Sequence, residues 1–395
     1  MMLLDNEKLH WTENLEIWLI TLLPALFSAY GGTAVALFCL LGINIIIKNF
    51  ALKRWSFFGW HQDKNYKYDK FPLVFIFMIA YWTVYLVSLI WTENLSYGVR
   101  EISSQTWMLL FPLIFAITDF REIGKHHIRS SLLWMVSFLT VTFIFRFVEF
   151  VYQYSCSQSD SFIWYMLSRS IEFYPTHHSY MSLYILTGLG FLYSEFQQIK
   201  KAHSPTLLAI MLSACACCLC MFLLCINSRA GLLCLLVLLL MCWIHIVFFK
   251  RNYKLGIISF IVGALLVAGI HFALPAHFRN LSSTVIELVS GNSDDCRLEI
   301  MKNACLVIKE NPVLGVGAGD RMDVLSPFYE NSVYGITYNP HNQYLDTMMT
   351  IGIPGIILLL MMIFIPLLKA FKERKFGFFT FFVIFAVSIL FESML

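Results

Sequence analysis

The sequence predicts an all-α polytopic membrane protein of about 11 transmembrane helices, carrying a helical outer cap late in the chain. Three observations lead there. Of 395 residues, 58% are hydrophobic and 13% charged, against about 25% charged in an ordinary soluble domain. The mean hydropathy of +0.70 is more apolar surface than a water-soluble fold can bury. The apolar runs are long and continuous, whereas the strands of a membrane barrel alternate over about ten residues.

A spanning helix needs about 20 apolar residues. The run Leu15–Ile47 is too long for one ordinary span, and Gly31-Gly32 in its middle suggests two short spans joined by a tight turn. A single tilted helix there would bring the total to about ten without moving anything downstream to the other side. Further spans are expected at about 71–91, 102–118, 128–152, 173–195, 205–226, 230–249, 254–274, 343–368 and 376–392. The acidic start, Met1-Met2-Leu3-Leu4-Asp5-Asn6-Glu7, has no small-residue cleavage site, so no removable signal peptide is expected.

Basic residues set the orientation. With the N-terminus inside, the outer segments and outer parts of spans hold Arg100, Arg146, Arg169, Arg229, Arg279, Arg297, Lys302, Lys309 and Arg321. Those are nine of the 28 Lys and Arg, and the other 19 fall inside. Topology does not ask for the outer nine, and all but two are arginine, whose planar donor fork matches phosphate oxygens. They read as anion binders, or as interfacial side chains reaching lipid phosphates.

The longest outer segment is Pro275–Asn342, inserted in what otherwise reads as a single polytopic membrane domain over 1–395. Ser293-Asp294-Asp295 offers N-cap oxygens before a helix over Cys296–Glu310, with Ile300, Ala304, Val307 and Ile308 on one face. Asn311-Pro312 ends it, and Gly315-Val316-Gly317-Ala318-Gly319 follows. Of eleven cysteines, Cys215, Cys217, Cys218, Cys220 and Cys225 share one apolar run and read as small residues that let helices approach, rather than as a metal site. A disulfide among Cys156, Cys296 and Cys305 cannot be assigned from spacing.

Arg229 lies at an outer hairpin, Asn227-Ser228-Arg229-Ala230-Gly231, between two strongly apolar spans. A charge at membrane depth is a functional-site hypothesis by default; the alternative is a guanidinium that simply reaches the headgroups. Arg297 opens the cap helix against the helix dipole, an arrangement that makes sense if an anion sits at that end. Gly315, Gly317 and Gly319 follow a helix rather than a strand, so they are no dinucleotide fingerprint; they could present N–H groups to an anion or form a plain turn. Arg146 and Glu149 stand one helical turn apart and can neutralise each other. His341 is the leading candidate for general base, its competitors being His177, His178, His271 and His277. Taken alone, a loop histidine is more often a surface residue. No Ser-His-Asp set, zinc pattern or paired-carboxylate signature stands out.

Taken in order, the motifs are Ser228-Arg229-x-Gly231, Arg297-x-x-x-Met301-x-x-Ala304, Asn311-Pro312-x-Leu314-Gly315-x-Gly317-x-Gly319, His341-Asn342-x-Tyr344-Leu345 and Gly352-x-x-Gly355. Over 225–360 this succession resembles the O-antigen ligase and O-antigen polymerase superfamily of bacterial envelope enzymes. The resemblance implies a GT-C-like membrane fold in the inner membrane, with residues 275–342 as a large periplasmic loop. It implies transfer of a glycan from undecaprenyl pyrophosphate to an acceptor hydroxyl, with inversion and without metal or other cofactor. The acceptor would be a lipid A-core sugar for a ligase, or a second lipid-linked glycan for a polymerase. Carried over by motif, His341 activates that hydroxyl while Arg229 and Arg297 hold the pyrophosphate. Ser228, Asn342, Gly315, Gly317, Gly319, Arg146 and His178 are supporting candidates.

Met301 stands where the family usually has an aromatic residue, and Thr350 where an acidic one is common. Membrane lipids are expected partners and nucleic acid is not; the oligomeric state is open. A flippase or other transporter is the competing class. It should show repeated halves with broken helices at mid-membrane, which this sequence does not suggest.

Overall fold

The structure is a computed structural model that describes residues 6–27, 31–51, 72–117, 125–156, 177–202, 206–226, 228–273, 296–329 and 339–394. The helices are α1 (Asn6–Phe27), α2 (Gly31–Ala51), α3 (Leu73–Val87), α4 (Leu95–Gln105), α5 (Trp107–Ala116), α6 (Lys125–Ser155) and α7 (His178–Ala202). They continue with α8 (Thr206–Ile226), α9 (Arg229–Ile244), α10 (Tyr253–Ala273), α11 (Cys296–Glu310), α12 (Ser326–Tyr329), α13 (Gln343–Lys372) and α14 (Phe376–Ser388). There is no strand among the described residues.

Among the described residues, four helical stretches are long and apolar enough to cross a membrane: His126–Ser155, Leu207–Ile226, Arg229–Phe249 and Gln343–Lys372. Leu15–Ala25, Ala36–Phe50, Leu73–Ser88, Tyr253–Leu265 and Phe376–Ser388 are apolar but shorter. The span expected at 102–118 is two helices. Asn94 caps α4 by accepting from the Tyr97 amide, and α4 ends at Thr106, after which α5 begins with Pro112 inside it. Ser293-Asp294-Asp295, His277, Arg279 and Arg169 lie outside the described residues.

The chain divides into two compact units, one built from 1–135, 297–369 and 389–395, the other from 136–296 and 370–388. In the first, α1 and α2 form an antiparallel hairpin around Leu19, Leu23, Phe38, Leu41 and Ile45. Its far end is closed by a buried Lys48–Glu16 ion pair at 2.6 Å. Two charges can be buried there because each neutralises the other; removing one partner of such a pair costs about 3–5 kcal/mol. Phe38 also stacks on Phe111 and meets Trp107 edge-on, which seats α5 against the hairpin.

The feature that organises this unit is a break in α13. Ile351 and Gly352 leave helical geometry, Gly352 at φ 63° and ψ −154°. A Cβ on Gly355 would stand 3.1 Å from Thr347 Cγ2, although eight residues of straight helix advance about 12 Å. The helix therefore folds sharply, with a short half over 343–350 and a long apolar half after it. The segment 311–319 clasps the break: Val316 and Gly317 donate to the Met349 and Thr350 carbonyls, and Ile353 donates to those of Pro312 and Val313. These bonds satisfy backbone groups that the break frees. No broken helix was expected from the sequence, because the break lies inside an unbroken apolar run.

In the second unit, Gly190 of α7 meets Leu238 of α9, and Ser182 meets Gly231, so these two helices run parallel. Gly188 meets Leu219 of α8, while Gly190 and Ser194 meet Thr380 and Gly377 of α14. The second pair of contacts makes α14 antiparallel to α7. After α9 the chain makes a π-turn over His245–Phe249, where His245 stacks on Phe376 and shares a 2.8 Å hydrogen bond with the Tyr193 hydroxyl.

Candidate active site

His341 stands in a tight turn just before the short half of α13. Its backbone is left-handed, at φ 46°, a strained conformation for a residue with a Cβ. Two asparagines support the turn. Asn339 Oδ1 accepts the His341 amide, and Asn342 Oδ1 accepts the amides of Tyr344 and Leu345. Asn342 is thus the N-cap of α13 and occupies two of the amides that a helix start leaves open.

The turn directs the imidazole toward a carboxylate: His341 Nδ1 is 3.0 Å from Glu392 Oε1. Glu392 is buried, while the His341 side chain keeps about a fifth of its surface open. With Glu392 ionised, Nδ1 is the nitrogen that donates to it, and Nε2 then bears the lone pair. A histidine held this way can take a proton from a hydroxyl, and the carboxylate stabilises the imidazolium that forms.

Behind this turn lies a buried charge cluster. Arg321 Nη1 donates to Asp346 Oδ2 at 2.9 Å, and Nη2 lies 3.1 Å from Glu101 Oε2 of α4. Burial works against the Arg321 charge, but Asp346 and Glu101 outweigh it and hold its pKa above the ordinary value. The Tyr97 hydroxyl also bonds the guanidinium, and burial raises its pKa. On the same short half, Thr347 shares a 3.0 Å hydrogen bond with the Tyr81 hydroxyl of α3, and Gln343 Nε2 donates to Thr347.

Gly315, Gly317 and Gly319 serve this frame. Gly315 has φ 69°, and a Cβ there would lie 2.5 Å from the Thr350 carbonyl; one on Gly319 would lie 2.1 Å from the Asn94 carbonyl oxygen. The Gly315 amide donates to Asn311, that of Ala318 to Ser88 Oγ and that of Gly319 to Thr92 Oγ1. With Val316 and Gly317 bonded to α13, all five amides of 315–319 have protein acceptors. Of the two roles open to this run, the structure has the turn and leaves no amide there for an anion.

Arg297 is the second residue of α11, the cap helix that the sequence predicts over the same residues. Ile300, Ala304 and Val307 on its expected inner face are buried, and Ile308 is half-buried.

The remaining candidates belong to the second unit. Ser228 caps α9, its hydroxyl accepting the Gly231 amide at 3.1 Å, and exposed Arg229 is the first helical residue. Gly231 has no room for a side chain, since its Cβ would stand 2.5 Å from Ser182 Oγ. That contact sets the start of α9 beside the start of α7, where the His177 and His178 rings lie 4.1 Å apart. Phe143 of α6 packs on Phe222 near the end of α8, which carries the Arg146–Glu149 pair, 2.8 Å, toward the same end. His178, Arg229 and Arg146 are thus gathered at one end of this unit.

Sequence reasoning missed Glu392, Asp346 and Glu101, and took Arg321 only as one of the outer basic residues. A signal existed for Asp346, an ionisable residue inside a spanning run, which is by default a functional hypothesis. Glu392 closes its own apolar run in the same way.

Compared with protein-family models, residues 214–360 match O-antigen ligase. The matched stretch holds Ser228, Arg229, Arg297, the 315–319 loop, Arg321, His341, Asn342 and Asp346, whereas Glu101 and Glu392 lie outside it. A comparison with curated protein sequences finds no match to the chain.

Proposed function

From the match of residues 214–360 to O-antigen ligase, we propose that this protein transfers a glycan from a polyprenyl-pyrophosphate carrier to an acceptor hydroxyl, with His341 as general base. The observation that carries the reading is the His341 Nδ1–Glu392 Oε1 contact at 3.0 Å, which sets a buried carboxylate behind the imidazole. The acceptor oxygen attacks the anomeric carbon as its proton passes to Nε2. The bond from that carbon to the phosphate oxygen breaks, and the pyrophosphate leaves with the electron pair. One displacement of this kind inverts the anomeric centre.

Charge develops on the leaving oxygens, where fixed positive groups are most effective. Arg229 and Arg297 are the residues assigned to that role, and they remove the need for a metal. The same reading puts the protein in the inner membrane with its N-terminus inside. The shorter apolar helices then also cross, in the GT-C-like manner, and the cap faces the periplasm. Donor and acceptor are undecaprenyl-pyrophosphate glycan and a lipid A-core sugar. A second lipid-linked glycan as acceptor makes the same chemistry a polymerisation, which a ladder of products would reveal.

The test is transfer by the reconstituted protein, wild type against His341→Ala. Loss of a general base lowers kcat by about 10²–10⁴-fold. A His341→Ala protein that transfers glycan at the wild-type rate would show that another group takes the proton.

A further inference from the structure

We propose that Arg321 is a positioning residue for this reaction, fixing the short half-helix that presents His341 by gripping Asp346. The proposal rests on His341 being the base. The short half, 343–350, is about 12 Å long. A helix of that length is not held by its own hydrogen bonds, so its neighbours set where it points. One of its ends is the left-handed turn at His341, and the other is the break at Ile351-Gly352.

Its buried face is polar. Gln343, Asp346, Thr347 and Thr350 are all fully buried and follow the three-and-four spacing of one helical side. Apolar packing tolerates sliding and rolling, whereas hydrogen bonds and ion pairs do not. The orientation of this half-helix is therefore set by directed contacts. They are Tyr81 on Thr347 and the Arg321 guanidinium on Asp346. Rolling the helix by one residue turns it about 100°, which breaks both contacts and swings His341 away from Glu392.

Arg321 is the part of this device anchored elsewhere. Its Nη2 lies against Glu101 of α4, at 3.1 Å, and Asp320 beside it accepts the amides of Glu93 and Asn94 at 2.9 and 2.8 Å. The guanidinium thus joins the half-helix to α4 at Glu101, while Asp320 holds the start of α4. At 9% exposure it is too enclosed to reach a glycan or a pyrophosphate, so any effect on transfer passes through Asp346.

The experiment uses the full chain in proteoliposomes, with a polyprenyl-pyrophosphate glycan donor and its acceptor, and follows kcat, KM and thermal unfolding. Misplacing a reacting group by about 1 Å costs about a hundredfold, so Asp346→Asn and Arg321→Gln are expected to lower kcat by about that factor, with KM for both substrates unchanged. Arg321→Lys keeps the charge but loses the fork, and should fall between these variants and the wild type. Where the polar variants fail to fold, the apolar combination Glu101→Met, Arg321→Met and Asp346→Leu decides. It removes the three charges of this cluster together, and is expected to unfold near the wild-type temperature with kcat still low.

A folded Asp346→Asn or Arg321→Gln protein with wild-type kcat overturns the proposal, and so does an apolar combination that recovers kcat along with stability. His341→Ala separates the two readings. If it transfers glycan normally, the base assignment fails; if it is inactive while Asp346→Asn is not, only the positioning role fails.

Discussion

His341 Nδ1 is held by Glu392 at 3.0 Å. Glu392→Gln preserves the shape but removes the charge that stabilises the imidazolium. We expect kcat to fall by about 10²–10⁴-fold with donor KM nearly unchanged, as when the carboxylate behind a catalytic histidine is neutralised. Equal kcat in Glu392→Gln and wild type would mean the carboxylate does not orient the ring. At this scale His341, Arg229 and Arg297 were candidates from the sequence because each stands in a short local motif. Glu392 was not, because the two partners are 51 residues apart and only folding back of the chain after α14 brings them together. Asp346 was hidden differently, as a single polar letter in an apolar run, its meaning supplied by Arg321, 25 residues upstream.

The clasped break in α13 makes its own prediction at the scale of elements. A Cβ on Gly352 would lie 2.2 Å from the Val313 carbonyl oxygen, at φ 63°, and neither backbone can yield without opening the clasp. Gly352→Ala should destabilise the protein by at least about 1–3 kcal/mol, the usual cost of forcing a side chain into such a conformation. Gly263 of α10 is the control, since nothing lies within 4 Å of its Cβ position; Gly263→Ala should be neutral or stabilise by up to about 1 kcal/mol. Thermal unfolding in detergent checks both, and a Gly352→Ala protein that melts with the wild type would remove the clasp from the account. The helix over Cys296–Glu310 was legible because its apolar stripe and the Asn311-Pro312 stop agree on where it runs and ends. The break was not, because hydropathy does not register a helix that turns back while remaining apolar.

For the whole molecule, the alternation of helix directions was legible in the second unit, where α7 and α9 run parallel and α14 opposes α7. Among the described residues, four helical stretches have the length and hydropathy of a crossing. Exposed Cys305 on α11 offers a direct test of sidedness. In a Cys156→Ser, Cys296→Ser background, a membrane-impermeant maleimide added outside intact spheroplasts should label it, with the signal lost on adding Cys305→Ser; labelling only after lysis would invert the orientation.

The first compact unit is assembled from chain segments on either side of residues 136–296, which gives the protein a calendar. At about 5–20 residues per second, synthesis of that intervening stretch occupies about 10–30 s. Throughout that interval the Glu101 carboxylate and the Tyr81 hydroxyl wait in the nascent chain without Arg321 and Thr347. An early helix holding such groups needs water, lipid headgroups or an insertase to satisfy them until translation delivers their partners.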